Sequence, residues 1–248
     1  MIKRIAAFFL LFYVGLWCLQ QSNAAGWLPL AQSSGGGGCS TVLRDNSTSA
    51  TAAGPTTSMT ASMLVGSGTQ RALVAGLMVF WSSTVGTLTV VWDAASTNQA
   101  MTAITGATAT SSDGAISVLY GLVAPTSGTK ILTVTGTQSF YHNISLLSVT
   151  CANQTGGITT FKNGTGATGA ITPSTITFSS GTTNLAYALA SSFGPTYTGV
   201  VSPGTSIGVT NGDVASESQY ITGAASITAT ETMSTNGNWS SAAVSIGP

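Results

Sequence analysis

Residues 118–135 read VLYGLVAPTSGTKILTVT and place two apolar runs on either side of a short turn segment. Pro125 suits the first central position of a β-turn and Gly128 suits its exit, because proline presets φ and glycine tolerates positive φ. In the second run Leu132 and Val134 alternate with threonines, as in a strand with one apolar and one hydroxyl face. The stretch therefore predicts a hairpin of two neighbouring antiparallel strands, a structural unit without chemistry of its own.

Similar short runs recur between turn residues along the rest of the chain, and no helix-length amphipathic stretch interrupts them. We predict strands at residues 71–81, 87–93, 115–123, 130–135, 141–151, 185–190, 219–222, 226–233 and 239–246. Alternation recurs in the last strand, where Val244 and Ile246 oppose Ser245. Such strands are typical of antiparallel sheets with one side in water. The predicted fold class is all-β, an antiparallel two-sheet β-sandwich of jelly-roll or concanavalin-like type.

Charged residues are scarce, at 5% of 248 residues against about 25% in ordinary soluble domains. Few side chains are therefore available for ion pairs or acid–base catalysis. Six basic residues balance six acidic ones, and the basic residues form no cluster. This argues against nucleic acid as a partner, because nucleic acid is bound through clustered Lys and Arg.

The N-terminus has the layout of a secretory signal peptide. Lys3 and Arg4 precede an apolar stretch at residues 5–19, and Ser22-Asn23-Ala24 supplies small residues for cleavage. A retained membrane anchor is the alternative, but the apolar run is shorter than the roughly 20 residues of a spanning helix. We predict a signal peptide at residues 1–24, no membrane insertion after its removal, and secretion to the cell surface, the extracellular space or the periplasm.

Residues 25–57 contain four consecutive glycines and a Ser/Thr/Ala/Gly run, which predicts a flexible spacer before a β-sandwich domain at residues 58–248. Cleavage after residue 24 removes Cys18 and leaves Cys39 and Cys151, which an oxidising compartment would allow to pair. Two free thiols remain the alternative, because a sequence contains no distances.

The segments RALVAGLMVFW, YGLVAPTSGTKILTVTG, SLLSVTCANQTG, NLAYALASS and NWSSAAVSIGP occur in this order. Their order resembles a family of uncharacterised secreted or surface-associated bacterial and phage β-sandwich domains, over residues 58–248. The chain departs from that pattern at the corner Asn153-Gln154-Thr155, which has no proline. The resemblance implies a jelly-roll or lectin-like sandwich, and it carries over no catalytic residue.

Candidate catalytic and metal-binding residues are few. His142 is the only histidine, and no G-x-S-x-G is present to offer a serine nucleophile beside it. One histidine and two distant cysteines cannot supply the clustered ligands of a zinc site, and no D-x-D-x-D-G calcium loop is present. We therefore expect no metal and no cofactor. A glycoside hydrolase would have to draw its two carboxylates from Asp213, Glu217 and Glu231.

Three aromatic residues border Gly/Ser/Thr segments and would be exposed if those segments are loops: Tyr197, Tyr220 and Trp239. Exposed aromatic rings are the usual platforms for sugar rings, so these three are the candidate ligand-binding residues. Packing in the core is the alternative, because most aromatic side chains are buried.

Three functional hypotheses follow. The leading one is a secreted or surface-displayed structural or adhesive sandwich without catalytic activity. The second is a carbohydrate-binding module, and the third is a glycoside hydrolase of lectin-like fold. A glycan or a cell-surface protein would be the partner, and self-association is also expected, because weakly charged strand edges are poorly guarded against pairing.

Overall fold

The structure is a computed structural model that describes residues 39–51, 54–81, 84, 86–155, 157–212 and 214–248. The predicted signal peptide and residues 25–38 of the predicted spacer lie outside the described residues. The described residues belong to one compact unit, Gly38–Pro248.

The predicted all-β class is confirmed, since the described residues form antiparallel strands and a single 3-10 turn at Gly157–Thr160 but no α-helix. The strands are β1 Leu43–Thr51, β2 Thr56–Val65, β3 Ala72–Trp81, β4 Leu88–Trp92, β5 Gln99–Ala100, β6 Thr102–Thr110, β7 Ile116–Val123, β8 Gly128–Thr150, β9 Phe161–Gly169, β10 Ser174–Ser179, β11 Leu185–Phe193, β12 Tyr197–Ser202, β13 Thr205–Thr210, β14 Val214–Thr222, β15 Ser226–Met233 and β16 Trp239–Ile246.

These strands form three hydrogen-bonded sheets rather than the predicted two. The largest sheet occupies two layers because β8, with 23 residues, belongs to both of them. Residues 128–136 of β8 pair with β2 and β4, and residues 140–150 pair with β1 and β3. We call β2-β8-β4-β5 layer 1 and β1-β8-β3-β7-β6 layer 2. Layer 3 is β13-β14-β11-β16-β9, and layer 4 is β10-β15-β12.

Three hydrophobic interfaces hold the four layers together. Layers 1 and 2 enclose Trp92, Leu132 and Leu77, all fully buried. Layers 2 and 3 enclose a second cluster that includes Tyr187 and Leu119. Layers 3 and 4 enclose smaller clusters built mainly from alanine, isoleucine and aromatic side chains. Each apolar face predicted from alternation therefore finds a partner face, which is the main driving force for the fold.

The two halves of the chain repeat one pairing scheme. The first sandwich (β1–β8) has inner order β1-β8-β3-β7-β6, and the second sandwich (β9–β16) has inner order β9-β16-β11-β14-β13. The outer orders correspond as well, β2-β8-β4 to β10-β15-β12. Strands β1 and β9 also carry a bulge near their start. The two halves of the chain thus form one structural repeat of the same pairing scheme.

The two sandwiches stack through their inner layers as a symmetric dimer would. Strand β6 lies over β9, β3 over β11 and β1 over β13. Equivalent residues meet at the partly exposed ends of β3 and β11, where the rings of Phe80 and Phe193 stack with centroids 4.2 Å apart. Gly164 and Gly166 of β9 allow the backbone of β6 to approach closely, since a Cβ at either position would collide with carbonyl oxygens of Thr105 and Thr108. An approximate two-fold axis therefore runs along the strands, between β3 and β11.

The predicted hairpin of residues 118–135 is wrong, although both of its strands exist. Strand β7 pairs with β3 and β6, and the start of β8 pairs with β2 and β4 in the other layer. The Ala-Pro-Thr-Ser-Gly segment is a crossover between layers rather than a tight turn. The turn residues between the two runs are compatible with a hairpin and with a crossover. The crossover is favoured because it buries the Leu132 and Val134 side chains of layer 1 against layer 2. The alternation itself is confirmed, because both side chains are fully buried.

The predicted spacer extends too far. Residues 43–51 form β1 and pair with β8, so the folded unit starts before residue 58. A Ser/Thr-rich composition suggested a spacer, but such a segment can form an edge strand when it is anchored. The anchor is a disulfide that joins Cys39 to Cys151, with Cα atoms 5.1 Å apart. Asp45 adds further contacts, since its carboxylate accepts hydrogen bonds from the Gly66 N–H and the Ser148 hydroxyl.

The second sandwich departs from the expected alternation of a core face and a water face. Every residue of β16 is buried, including Ser245, because layer 2 covers one face of the strand and layer 4 covers the other. The hydroxyl of Ser245 is satisfied inside the protein, by the Asn184 amide and the Ser180 hydroxyl. Small polar side chains thus occupy central positions that a single exposed sheet would have turned to solvent.

Candidate functional site

Two of the three predicted sugar-binding aromatic residues are inaccessible. Tyr197 and Trp239 are 3% and 5% exposed and pack together between layers 3 and 4. The indole N–H of Trp239 is already used, by the carbonyl of Ile171 at 2.9 Å. Neither ring can stack on an external ligand, because Tyr197 of layer 4 points toward layer 3 and Trp239 of layer 3 is covered by layer 4. Their Gly/Ser/Thr neighbours suggested loops, but these neighbours belong to strands and tight corners of a covered sheet.

Tyr220 is the one predicted aromatic residue that reaches the surface. It is half-buried, with the guanidinium of Arg44 5.1 Å from its ring centroid. Its ring packs against the core between layers 2 and 3, beside Arg44 of β1, whereas the backbone around it borders a cleft of about 310 Å³ at the open edge between layers 3 and 4. The lining residues are Pro203, Gly204, Thr205, Tyr220, Ile221, Thr222, Ala224, Ser226, Ile227 and Thr228. The cleft is uncharged, with an apolar floor and hydroxyl groups along its walls.

The outward surfaces of layers 1 and 4 are lined by hydroxyl groups. Outer face 1, on layer 1, presents Ser58, Thr60, Ser62, Thr89, Thr129, Thr133 and Thr135, together with the exposed apolar side chains of Leu64 and Ile131. Outer face 2, on layer 4, presents Thr175, Thr177, Ser179, Thr198, Ser202, Ser226, Thr228, Thr230 and Thr232. Neighbouring strands lie about 4.8 Å apart, so each face is a regular array of hydroxyl and aliphatic groups.

These two faces carry no charge among the described residues. In layer 4 the only ionisable carboxyl belongs to Glu231, which points inward. In layer 1 the charged side chain is Lys130, and it is held by Asp93 at 3.1 Å. Threonine χ1 angles are stiff, and some hydroxyls already bond across strands, as Thr177 and Thr228 do at 3.0 Å. The faces are therefore ordered as well as neutral.

An acidic cluster lies inside the second sandwich. Glu217 of β14 and Glu231 of β15 face each other from layers 3 and 4, and both are fully buried. The Glu231 carboxylate accepts hydrogen bonds from the Gln219 amide at 2.7 Å and from the Ser174 hydroxyl at 3.1 Å. Neither carboxylate oxygen of Glu217 has a hydrogen-bond partner. The structure thus brings together two of the three predicted acids, while Asp213 lies outside the described residues.

Burial dominates the electrostatics of this acidic cluster. It raises the pKa of Glu231 to about 7, and hydrogen bonds from Gln219 and Ser174 offset only part of that rise. Burial likewise raises the pKa of Glu217 to about 7, against a smaller opposing effect of the Gly199 backbone amide. The pKa of the Tyr197 hydroxyl is raised by burial and then by the negative charge of Glu231. These groups therefore share one low-dielectric space.

The first sandwich has an apolar core where the second has its acids. Leu77 of β3 is the equivalent of Ala190 of β11, because both strands begin at matching positions and end at the stacked phenylalanines. Leu77 pairs with Val118 and Ile144. In the second sandwich Ala190 pairs with Glu217 and Ser241 instead. The same scaffold is thus built once with an apolar core and once with a polar core.

His142 belongs to the first sandwich and lies far along the chain from these acids. Its ring is 2% exposed, packs 4.5 Å from the Phe140 ring and bonds the Phe140 carbonyl through Nδ1 at 3.1 Å. Burial lowers its pKa. No group of three His, Cys, Asp or Glu side chains arranged for a metal occurs in the described ranges. Within the same ranges, no helix is long and apolar enough to span a membrane.

No protein-family model, no curated protein and no solved structure matches this chain. The resemblance to secreted bacterial and phage sandwich domains accordingly stays a prediction.

Proposed function

We propose that this protein is a secreted or surface-displayed β-sandwich protein with a structural or adhesive role and no catalytic activity. The observation that carries the proposal is the pair of neutral hydroxyl faces on opposite outer surfaces of the four-layer stack. A soluble protein usually covers such faces with charged side chains, which keep sheets apart. Their replacement by Ser and Thr suits contact with another neutral, hydroxyl-rich surface.

The remaining architecture supports this proposal. A disulfide between Cys39 and Cys151 suits an oxidising compartment outside the cytosol. In both sandwiches strands alternate between two packed sheets, which supports our assignment of each half to the jelly-roll class. Two faces pointing in opposite directions would let one molecule bridge two surfaces.

The test is retention of the full chain on insoluble neutral polysaccharides, cellulose and chitin, across increasing salt. We expect retention that salt does not weaken, because the contact involves no charges. Thr60→Lys on outer face 1 and Thr177→Lys on outer face 2 should each reduce retention. Thr110→Lys, an exposed threonine of β6 outside both faces, is the matched control. Retention that salt abolishes, or that both face variants keep in full, would contradict the proposal.

Carbohydrate binding at the Tyr220 cleft is a second candidate function. The cleft volume lies at the lower end of ligand sites, and an apolar floor with a few hydroxyl groups is the usual lining of such sites. A panel of soluble oligosaccharides should then bind the wild type and bind Ala224→Trp, which fills the exposed rim of the cleft, more weakly. Ala103→Trp, at an exposed alanine of β6 outside the cleft, is the matched control. Equal losses in both variants would contradict binding at the cleft.

Nothing in the geometry favours the hydrolase hypothesis. Glu217 and Glu231 are enclosed between two sheets, whereas a glycosidase needs its two carboxylates on either side of an open substrate.

A further inference from the structure

The acidic cluster has no balancing charge. Apart from Glu217 itself, no ionic side chain contributes to the pKa of Glu231, and none contributes to that of Glu217. The basic residues with described partners are engaged elsewhere: Arg44 with Ser47 and Tyr220, Arg71 with backbone carbonyls, and Lys130 with Asp93. Two buried carboxyl groups therefore face each other without a cation from the described chain, and an unpaired buried charge is very costly.

Several buried oxygen atoms around these carboxyl groups have no hydrogen bond of good geometry: the two carboxylate oxygens of Glu217, the hydroxyl of Tyr197 and the hydroxyl of Ser241. The polar neighbours that act on them are the Gly199 backbone N–H beside Glu217 and the Ser174 and Ser192 hydroxyls beside Tyr197. Glu217 and Ser241 flank Ala190 on the face of layer 3 that layer 4 covers. Unsatisfied buried polar atoms are rare in folded proteins, so their concentration in one place indicates a missing partner.

The fold does not require this arrangement. The first sandwich closes the same positions with Val118 and Ile144 around Leu77. Apolar side chains of similar size are generally at least as stabilising as buried charges. The polar core of the second sandwich therefore has a purpose other than holding the two sheets together.

We propose that the acidic cluster is a binding site for a divalent cation of the Ca²⁺ class. Its ligands would be the carboxylates of Glu217 and Glu231 with the hydroxyls of Ser241 and Tyr197. The two carboxylates neutralise a 2+ charge, and all four donors are oxygen atoms, which Ca²⁺ prefers. Both oxygens of Glu217 are free, as bidentate coordination requires. Mg²⁺ fits less well, because it keeps several of its own waters and demands octahedral geometry.

The neighbouring residues support such a site. Gln219 and Ser174 hold the Glu231 carboxylate by hydrogen bonds, as outer residues do around metal ligands. The carbonyl oxygen of Gln219 also accepts the Gly204 N–H at 3.0 Å, and Gly204 lines the 310 Å³ cleft. One hydrogen bond thus separates the cleft wall from the residue that contacts Glu231. The cation site is independent of the proposed adhesion.

The test measures the melting temperature of the full chain at pH 8 in EDTA and with increasing CaCl₂. We expect CaCl₂ to raise the melting temperature, with a Kd on the order of 10⁻⁴ to 10⁻³ M. Glu217→Gln should weaken binding at least about 10-fold. Asp113→Asn, in a turn of the first sandwich, should respond as the wild type does. An unchanged melting temperature of the wild type on adding CaCl₂, or a full increase in the Glu217→Gln variant, would overturn the proposal.

Two further measurements separate the cation from protons and from misfolding. Every element packed around the acidic cluster contributes a group that faces it: Ser174 of β10, Ser192 of β11, Tyr197 of β12, Gln219 of β14, Glu231 of β15 and Ser241 of β16. Because Glu217 and Glu231 are the acids among them, lowering the pH to 5 should abolish the CaCl₂ effect. A stability that depends on pH at pH 6–8 but not on CaCl₂ would show that protons alone neutralise the cluster, against the proposal.

The Glu217→Val, Ser241→Ile variant copies the first sandwich and should stay folded in EDTA without responding to CaCl₂.

Discussion

Replacing Glu231 by Gln should change how the unfolding free energy depends on pH. The carboxyl group is fully buried, and its pKa rises from an ordinary value of 4.5 to about 7. Between these two pH values the folded protein keeps a proton that the unfolded chain has released. Stability therefore falls as the pH rises through this window, and it is unaffected by this group below pH 4.5 and above pH 7.

The size of the effect follows from the pKa difference. One bound proton corresponds to about 1.4 kcal/mol per pH unit, so Glu231 removes about 3 kcal/mol between pH 4.5 and 7. Glutamine has nearly the same shape but does not titrate, so Glu231→Gln should lose this dependence. Glu217 lies in the same space and should contribute with the same sign. The double variant should then be flatter than either single variant.

His142 acts in the opposite direction. Burial lowers its pKa below 6.5, so the unfolded chain binds a proton that the folded chain lacks, and stability falls as the pH falls through this range. Subtracting the unfolding free energy of the variant from that of the wild type cancels this contribution, because both proteins contain His142. The informative quantity is therefore the pH dependence of the difference in unfolding free energy.

Urea unfolding in EDTA at pH 4.5, 5.5, 6.5 and 7.5 measures this slope. Tryptophan fluorescence is a suitable signal, because Trp239 lies between layers 3 and 4 with Tyr197. Asp113→Asn serves as the control, because it removes a carboxyl group in a turn of the first sandwich, outside the acidic cluster. If Glu231→Gln and the wild type lose stability in parallel from pH 4.5 to 7.5, the carboxyl group does not retain its proton and the reasoning is refuted.

Three further predictions concern the scaffold. Replacing Cys39 and Cys151 by Ser should lower the unfolding free energy by about 2–5 kcal/mol in urea unfolding, because the bond closes a loop of 112 residues; an unchanged urea midpoint would contradict this. Gly76→Ala should destabilise the protein by about 1–3 kcal/mol, because the added Cβ would collide with the Tyr187 hydroxyl of the other sandwich. Gly54→Ala, whose added Cβ faces open space, should cost far less. Similar thermal unfolding of the two variants would argue against close packing between Gly76 and Tyr187. Light scattering at rising concentration should show self-association, because the edge strands carry few charges, and a strictly monomeric protein at high concentration would exclude it.

Local patterns located eight of the sixteen described strands and missed the other eight, most of which are rich in Ser, Thr and Gly. The predictions at residues 226–233 and 239–246 coincide with β15 and β16, and that at 71–81 misses β3 by one residue. Period-two alternation is a property of the strand itself, so it can be recognised without knowing the partner. The separate predictions at 130–135 and 141–151 merged into β8, because the Ser/Thr/Gly residues between them continue the strand across a bend.

The candidate site was less accessible from the sequence. Glu217 and Glu231 were singled out as acids, but Gln219, Ser174 and Ser241 were not, since a serine in a strand usually faces water. A sign was present in the repeat itself. Aligning the halves of the chain sets Glu217 against Val118 and Ser241 against Ile144. Such polar-for-apolar exchanges within a repeated core mark a position with a special role.

The sequence by itself determined the all-β class, the positions of the apolar-rich strands and the apolar side of those that alternate, because these depend on neighbours within a few residues. The tertiary structure alone decided which strands pair, since β8 crosses between layers and β1 joins the sheet through the disulfide of Cys39 with Cys151. It also decided that Tyr197 and Trp239 are covered and that two acids meet in a closed space. Burial and charge proximity arise from segments far apart in the chain, and a linear pattern contains no such distances.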